Sequence, residues 1–574
     1  MKQLISLDVF DTALFRKVYN PTDIFNVVQD NVGHNFKALR MLAQEKARKK
    51  DIHYNLLDIY KELDFPFSPK EEIKAEIENC YANPYILDLY NNTEADFIFI
   101  SDMYLPSVVI KSMLERASYK NPQVFVSCEL KANKGSGALF TKVEAALNRK
   151  IDKHFGDNYS ADIMGATRAH ILDVEYVGPA IYNKEVTTPA LENVKLRKLL
   201  IDNELSMSPI EEKIGFLFSP LILSFTKAIL DEARGDQTIF FNARDGFIMY
   251  LIARFILKTN KKIKYCRFSR KSCYIPAINT DKELTGDENR FILDFLRGQR
   301  CSTIREFLKS FNLDEDKDYS KVLNKYKLTL DSFIDINPER LKIMEAIAVE
   351  AQSSIYKIAE KEKGNFLEYI RTLGIKEGDI FVDLGYNGSM QAMIKRIAGI
   401  NLRGRYIVTF SDLQEFKGIK IEKKPYLGKG ITGAHGAVAE MVLSEPKGTA
   451  LSYINGKPVI SRDMKFRKDI TKNILKGVLR GTRAILNENL EINVRDCGNI
   501  LERFFNHPTL KEALIANENL FENGSLYNNE SIAWFNEELI KKGKIKECYR
   551  KSYWKEAFKI LLRNSEYKNL EKYI

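Results

Sequence analysis

Short apolar runs that end in polar turns recur along the first third of the chain. The first is Gln3 to Val9, which stops at an Asp-rich turn, and later ones read ADFIFIS, PQVFVS, KHFGD and VEYVG. Helix-compatible stretches such as ALFTKVEAALNR separate them. Alternating strand and helix patterns predict a parallel α/β sheet, and such sheets bind ligands beyond the carboxyl ends of their strands. We therefore expect functional side chains directly after the apolar runs.

A helical insert interrupts this pattern early. Apolar residues recur at helical spacing in FKALRMLAQEKARKK and LLDIYKEL, within a segment of about residues 16–92. The strand pattern returns after it and continues to about residue 185. Residues 1–190 are thus expected to form one α/β domain that carries a helical insert.

A second α/β pattern begins near residue 195 and extends to about 460. Its apolar runs, in QTIFFNARDG, KIKYCRFSR, DIFVDLGYNGSMQ and GRYIVTFSD, again end in polar turns. A helical stretch at about 287–369 interrupts it, and residues 461–574 are helix-rich and basic. The pattern predicts an α/β protein with three regions, at 1–190, 195–460 and 461–574.

Composition and charge narrow the function classes. The chain has 574 residues and a net charge of +11, but its 88 Lys and Arg are interspersed with 77 Asp and Glu. This balance does not require a nucleic-acid partner, and no zinc-finger, recognition-helix or RNA-binding signature accompanies it. The first residues lack the apolar run of a secretory signal, so we expect a cytoplasmic protein.

Two segments bear on membrane contact. Ile214 to Leu230 is the most apolar stretch, but Pro220 and polar residues interrupt it, so a buried helix is favoured over a membrane span. The basic stretch Lys541 to Asn564, with Trp554 and Phe558, is compatible with peripheral contact to anionic lipid. A terminal helix with a charged, solvated face is the preferred interpretation.

Four polar motifs follow apolar runs in the first region. They supply a carboxylate pair in LDVFDT, a hydroxyl in FIFISD, a lysine in KANKGSG and a second carboxylate pair in GDNYSAD. Phosphoryl transfer needs a positioned nucleophile, a divalent cation and positive groups at the phosphoryl oxygens, and these residue types provide each. Any one motif alone is more often a turn or helix cap, but together they form a pattern that chance seldom supplies. The residues are Asp8, Asp11, Ser101, Lys134, Asp157 and Asp162.

This pattern resembles that of the haloacid dehalogenase (HAD) superfamily over about residues 1–185. The resemblance implies a Rossmann-like core with the insert as a cap, and a phosphohydrolase or phosphotransferase that works through an aspartyl-phosphate. By it, Asp8 is the nucleophile, and Ser101 and Lys134 serve the phosphoryl group. The implied cofactor is Mg²⁺, held by Asp8, the Phe10 main-chain carbonyl and Asp157. The supporting residues are Asp11, Thr12 and Asp162.

One position departs from the family's phosphatases. The residue two places after their nucleophile is usually a second Asp, which protonates the leaving group, and here it is Phe10. Loss of a general acid typically costs about 10²–10⁴ in rate. Three outcomes stay open: a substrate with a low-pKa leaving group, a slow phosphatase, or phosphate binding without turnover. His34 and His53, in the insert, are candidate donors of the missing proton.

The second half contains a candidate anion site at its strand ends. Basic turns in FFNARDGFIM and CRFSRKS present Arg side chains, whose fork fits a phosphate, and glycines in VDLGYNGSMQ would let backbone N–H groups approach one. A loop-closing Arg–Asp pair and a tight strand-to-helix turn explain these segments about equally well. The residues are Arg244, Asp245, Arg270, Asp383, Gly385, Gly388 and Ser389.

The second half also resembles the C-terminal region of predicted bacterial HAD hydrolases linked to surface-polysaccharide synthesis, which implies sugar phosphates or glycan precursors as the context. The leading hypothesis is a cytoplasmic enzyme that removes or transfers the phosphoryl group of a small phosphorylated metabolite. One rival is a non-catalytic HAD-like module. The other is a glycosyl- or phosphoribosyl-type transferase in the second half that uses Arg244, Asp245 and Asp383.

Overall fold

A computed structural model of the chain shows its architecture. It describes residues 2–574 except 19, 34, 65–66, 178–187, 189–190, 291–302, 312, 314–319, 333–337, 410–414, 429–438, 462–464, 519 and 523–528. The chain divides into two compact units, Met1–Ser206 and Met207–Ile574. Residues 461–574, which the sequence sets apart as a third region, belong to the second unit.

The first unit is built on a parallel sheet. Its strands are β1 (Gln3–Leu7), β2 (Leu14–Arg16), β3 (Cys80–Ala82), β4 (Ala95–Ser101), β5 (Gln123–Val126), β6 (Lys153–Gly156) and β7 (Asp173–Tyr176). Five of them pair in the order β5-β4-β1-β6-β7, all parallel, with Leu7 level with Phe99 and Phe155. Buried apolar side chains cover both faces of this sheet. Because neither face meets water, its strands are continuous apolar runs in the sequence. The predicted α/β class is confirmed.

Helices flank this sheet and build the insert. They are α1 (Ile24–Val32), α2 (Phe36–Lys50), α3 (Leu56–Lys61), α4 (Pro69–Glu78), α5 (Pro84–Asn92), α6 (Ser107–Arg116), α7 (Ser127–Leu130), α8 (Ala138–Leu147), α9 (Gly165–Arg168) and α10 (Val194–Ser206). The insert between β1 and β4 consists of α1 to α5 and the antiparallel hairpin of β2 and β3. Its interior holds an ion pair in which the fully buried Arg40 donates to both oxygens of Glu72, at 2.6 and 2.7 Å.

The second unit contains another parallel sheet. Its strands are β8 (Thr238–Asn242), β9 (Lys262–Cys266), β10 (Ile380–Tyr386), β11 (Arg403–Thr409), β12 (Glu415–Phe416), β13 (Ile419–Lys420), β14 (Glu422–Pro425), β15 (Ala450–Ile454), β16 (Lys457–Ile460), β17 (Leu520–Glu522) and β18 (Asn529–Ser531). Five of them pair in the order β14-β11-β10-β8-β9, all parallel. The other six form three antiparallel hairpins.

The helices of the second unit surround its sheet and extend to the end of the chain. They are α11 (Ile210–Glu232), α12 (Phe247–Leu251), α13 (Arg270–Tyr274), α14 (Ile304–Ser310), α15 (Ser320–Lys325), α16 (Pro338–Glu350), α17 (Gln352–Leu373), α18 (Ser389–Ala398), α19 (Lys465–Asn487), α20 (Val494–Asn506), α21 (Leu510–Glu518), α22 (Glu537–Lys541), α23 (Ile545–Lys551) and α24 (Lys555–Arg563). Helices α14 to α17 lie between β9 and β10 in the chain, where the sequence predicts a helical interruption.

Helix α11 contains the most apolar segment of the sequence. It is long and apolar enough to span a membrane, but 78% of its most apolar 18-residue window is buried inside the protein, as the sequence predicts for a core helix. It packs closely along α19 because glycines occupy the crossing. A Cβ atom at Gly215 would lie 2.0 Å from the Ile474 carbonyl oxygen, and one at Gly477 would lie 2.0 Å from the Glu212 carbonyl oxygen.

The basic stretch near the end of the chain folds into α22 to α24. Trp554 and Phe558, the side chains that lipid contact would need, are buried, with relative exposures of 1% and 0%. The Trp554 indole N–H donates to the Phe505 carbonyl at 2.9 Å. The suggested peripheral membrane contact through these two rings is therefore wrong, and the terminal-helix interpretation describes the segment better.

The helix crossing gives a stability prediction. Gly477→Ala should lower the free energy of unfolding by about 3 kcal/mol or more, because its methyl group has no room against the backbone of α11. Gly364→Ala is the matched control: Gly364 also lies within a helix, α17, but a Cβ there meets nothing within 4 Å. This control should stabilise by about 0.5–1 kcal/mol. Denaturant unfolding measures both, and equal effects would contradict the close crossing.

Candidate functional site

The carboxyl edge of the first sheet brings together residues far apart in the sequence. From β1 the chain runs outward through β4 and β5 and then returns to β6 on the other side, so the strand order reverses between β1 and β6. Asp8 follows β1 and Asp157 follows β6, one on each side of this reversal. The Asp8 backbone N–H donates to the Phe155 carbonyl at 2.8 Å. Carboxylate oxygens of Asp8, Asp157 and Asp162 lie within 4.8 Å of one another.

Lys134 joins two of these carboxylates. It lies between α7 and α8, and its ammonium donates to Asp162 Oδ1 at 2.5 Å and to Asp8 Oδ1. Its side chain is only 4% exposed. Its backbone N–H donates to both oxygens of Asp102, at 3.0 Å each, which fixes the loop just beyond β4. Asp8, Lys134 and Asp162 thus form one buried ionic cluster.

Asp162 is held from several sides. Its Oδ2 accepts the Asn158 backbone N–H at 2.9 Å, and its Oδ1 lies 3.3 Å from His154 Nε2. His154 is itself fixed through Nδ1, which lies 2.8 Å from the Ser6 hydroxyl on β1. With both oxygens engaged, Asp162 is suited to orient Lys134 rather than to hold an ion directly.

Two glycines allow Asp162 and Lys134 to lie this close to the neighbouring backbone. A Cβ atom at Gly156 would lie 2.3 Å from Asp162 Cγ, so the last residue of β6 must lack a side chain. A Cβ at Gly165 would lie 2.1 Å from the Lys134 carbonyl oxygen. The first glycine leaves room for the Asp162 carboxylate, and the second lets the start of α9 approach the lysine loop.

The charges of this cluster and of the neighbouring Asp157 do not balance. Burial raises the pKa of Asp8 against the effect of Lys134, and the carboxylates of Asp162 and Asp157 add to the rise. Burial also raises the pKa of Asp157 to about 6. Burial acts to raise the pKa of Asp162 too, but Lys134 and His154 outweigh it and lower that pKa. Three carboxylates face one ammonium, an excess that a divalent cation would neutralise.

The donor set fits a hard cation. Asp8 and Asp157 offer carboxylate oxygens, the ligands that Mg²⁺ prefers. The Thr12 hydroxyl donates to Asp157 Oδ1 at 3.4 Å, and the Asn83 side chain fixes Thr12 by donating to its carbonyl at 2.8 Å. Ser101 lies buried at the end of β4, the strand beside β1. The residues predicted from four separate motifs therefore lie at one edge of one sheet.

The turn after Asp8 brings Arg16 against Phe10. The Arg16 guanidinium carbon lies 3.9 Å from the centre of the Phe10 ring, and Glu76 in the insert lies 3.7 Å from Arg16 Nε. Asp11 has a left-handed backbone, with φ of 60°, and its backbone N–H donates to the Leu14 carbonyl at 2.8 Å. Burial raises the pKa of Asp11, and Arg16 opposes the rise. The position two residues after Asp8 is thus occupied by an aromatic ring that packs against the Arg16 guanidinium.

The insert also approaches this edge. His34 lies outside the described residues. The His53 carbonyl accepts the Lys131 ammonium at 2.8 Å, which ties the insert to the loop that carries Lys134. Burial raises the pKa of Asp102, and Lys134 opposes the rise.

In the second unit, the predicted residues also gather at a carboxyl edge. Arg244 and Asp245 follow β8, Arg270 begins α13 after β9, and Asp383 lies within β10. The remaining members of the predicted set, Gly385, Gly388 and Ser389, lie at the end of β10, directly before α18 and at its first residue.

Sequence reasoning missed several residues that shape both edges. Asp102 directly follows Ser101 in FIFISD, which was the available signal, whereas His154 within β6 gave none. Asn242, which ends β8, and Lys423 in β14 gave no comparable signal. Their roles depend on strands that pair across long stretches of sequence.

The comparisons with known proteins do not assign the chain to a family. A scan of the chain against models of protein families finds no match, and a search of curated proteins finds none. What the chain does is therefore inferred from the side chains at the two sheet edges.

The glycine at the end of β6 gives a test of the cluster. Gly156→Ala should lower the free energy of unfolding by about 3 kcal/mol or more, because the added methyl group overlaps the Asp162 carboxylate and displaces it from Lys134. Gly135→Ala, one residue after Lys134, is the control, since a Cβ there lies 3.8 Å from its nearest neighbour. It should change stability by about 0.5 kcal/mol or less. A Gly156→Ala protein as stable as the control would refute the geometry.

Proposed function

We propose that the first unit is a Mg²⁺-dependent phosphohydrolase or phosphotransferase that acts on a small phosphorylated metabolite through Asp8. The observation that carries this proposal is the convergence of Asp8, Asp157 and Asp162 within 4.8 Å, with the Lys134 ammonium on two of them. These groups match the needs of phosphoryl transfer: a fixed carboxylate, a cation site and a fixed positive charge. The resemblance of the motifs to the HAD superfamily supports the same reaction.

Each residue of the site has its own role in the proposed reaction. An Asp8 oxygen attacks the phosphorus, the bond from phosphorus to the leaving oxygen breaks, and Asp8 becomes an aspartyl-phosphate. Water or an acceptor hydroxyl then takes the phosphoryl group and restores the carboxylate. Lys134 and the Ser101 hydroxyl offer positive charge and a hydrogen bond to the phosphoryl oxygens. Mg²⁺, bound by Asp8, Asp157 and the Phe10 carbonyl, would supply further neutralisation of charge on the transferred group.

Phe10 limits the substrates that this site converts efficiently. The leaving oxygen departs with a negative charge unless a proton reaches it, and a phenyl ring supplies none. Leaving groups of low pKa tolerate this, while alkoxide leaving groups do not, unless another donor acts. His53, on the segment of the insert whose carbonyl accepts the Lys131 ammonium, is the candidate for such a donor. A sugar phosphate of surface-glycan metabolism is the substrate class that the resemblance of the second half favours.

The role of Asp8 is tested by a conservative substitution. Asp8→Asn should reduce Mg²⁺-dependent hydrolysis of an aryl phosphate such as p-nitrophenyl phosphate at least about a thousandfold, because the amide cannot act as the nucleophile. The control is Asp64→Asn, an exposed position whose side chain is 72% exposed. It should keep the wild-type rate. Undiminished hydrolysis by Asp8→Asn, or hydrolysis that continues in EDTA, would rule out the proposed chemistry.

The effect of Phe10 is tested by comparing leaving groups on the wild-type protein. Aryl phosphates should be hydrolysed about 10²–10⁴ times faster than alkyl phosphates, because only the alkyl esters need the missing acid. Steady-state kcat/KM for p-nitrophenyl phosphate and a simple alkyl phosphate measures this ratio. Similar values would show that another residue donates the proton efficiently, and turnover of neither ester would favour a non-catalytic module.

A further inference from the structure

A buried histidine lies behind the ionic cluster of Asp8, Lys134 and Asp162, and the proposed reaction gives it no role. His154 is part of β6, is 0% exposed, and is level with Ser6 of β1 in the register of the sheet. Burying an imidazole among apolar side chains is costly unless its ring nitrogens are hydrogen-bonded. Both ring nitrogens of His154 have a polar neighbour, and the two neighbours differ in kind.

These two contacts determine which nitrogen carries the proton. Nδ1 lies 2.8 Å from the Ser6 hydroxyl, which can donate or accept, whereas Nε2 lies 3.3 Å from Asp162 Oδ1, which as a carboxylate oxygen only accepts. Burial lowers the pKa of His154, although Asp162 opposes this, so the ring is neutral and has one N–H. Nε2 therefore donates to Asp162. The Ser6 hydroxyl donates to Nδ1, which is nearer than its other acceptor, the Lys153 carbonyl at 3.3 Å.

Packing also holds the imidazole. The Phe140 ring on α8 meets it edge to face, with the ring centres 4.8 Å apart and an angle of 76° between the planes. Helix α8 directly follows the loop that carries Lys134. His154 thus contacts β1, α8 and the turn after β6, and these contacts fix the direction in which its Nε2–H points.

Asp162 has to keep Lys134 in place while the charge of Asp8 changes. In the free site the ammonium donates to Asp8 and to Oδ1 of Asp162. When Asp8 becomes an aspartyl-phosphate it is no longer a carboxylate, and Asp162 is then the remaining carboxylate partner of Lys134. The His154 N–H is directed at the same Asp162 oxygen, so it fixes the position of that oxygen through the reaction.

We propose that His154 is a positioning residue for phosphoryl transfer, which holds Asp162 so that the Lys134 ammonium stays directed at the phosphoryl group. Ser6 orients the imidazole for this role. The role rests on the proposed function of the first unit and adds to it a line of hydrogen bonds that begins in the interior of the sheet. His154 itself touches neither the substrate nor the cation, so its loss should slow the chemical step and leave the cation site intact.

Three substitutions of His154 in the full-length protein test this role by moving the donor. His154→Leu keeps a side chain of similar size without a donor, His154→Gln places an amide N–H near the position of Nε2, and His154→Asn places one near Nδ1. With p-nitrophenyl phosphate and Mg²⁺, kcat should fall about 10–100-fold in the Leu and Asn variants, the effect of one hydrogen bond to a charged group. In His154→Gln it should stay within about threefold of the wild-type value.

Ser6→Ala tests the same line of hydrogen bonds with a smaller change to the core. It should lower kcat about 3–10-fold, because Nδ1 loses its donor and the ring proton is no longer held on Nε2. In the His154→Leu background the same substitution should cost less than about twofold, since Ser6 acts only through the imidazole. The matched control is Ser112→Ala, whose hydroxyl donates to the Val108 carbonyl within α6 at 3.0 Å. It should keep the wild-type kcat.

Mn²⁺ affinity, measured by electron paramagnetic resonance, should stay within about twofold of the wild-type value in every variant, because no ligand is removed. Equal kcat in His154→Gln and His154→Leu, or an equal loss from Ser6→Ala in both backgrounds, would overturn the positioning role alone. If the His154 variants do not fold, an undiminished kcat in Ser6→Ala overturns it. Hydrolysis that is absent from the wild-type protein, or that Asp8→Asn does not reduce, would instead remove the proposed function and this role with it.

Discussion

The contact on which the first unit's site depends is the buried Lys134 ammonium between Asp8 and Asp162. Burial of three such charges is costly unless they are paired at close range, and removing Lys134 would leave both carboxylates without a positive partner. The contact therefore fixes the positions of three chain segments relative to one another: the turn after β1, the loop after α7 and the turn after β6. Gly156 and Gly165 are the condition for it, because any larger residue would force those segments apart.

Under the proposed function, this ionic cluster would also preorganise the site for phosphoryl transfer. Lys134 engages Asp162 Oδ1, while Asp8 and Asp157 offer carboxylate oxygens that a cation would share. Preorganised charge of this kind lowers the barrier of phosphoryl transfer because little needs to move as the reaction proceeds.

Much of this was predictable from the sequence, for a physical reason. Strands buried on both faces must be apolar along their length, so the runs in the first region mark β1 and β4 to β7, and the polar residues after them reach one edge. Asp8, Lys134 and Asp157 are brought together as that rule requires.

The parts that were not predictable depend on contacts between distant segments. The α11–α19 crossing brings Gly215 against Ile474, and no local sequence pattern indicates such a contact. The sequence leaves Trp554 compatible with lipid contact, and only the folded chain places its indole N–H against the Phe505 carbonyl. His154 looks like one more residue of a strand, and its link between Ser6 and Asp162 exists only once β1 and β6 pair.

The most direct measurement of the central claim is anomalous diffraction from crystals of the full-length protein soaked in Mn²⁺, a substitute for Mg²⁺. The account predicts one strong peak in the first unit, about 2.0–2.3 Å from a carboxyl oxygen of both Asp8 and Asp157, with Lys134 still on Asp162. A peak bound by only one of these two carboxylates, or no peak between them at saturating Mn²⁺, would contradict it.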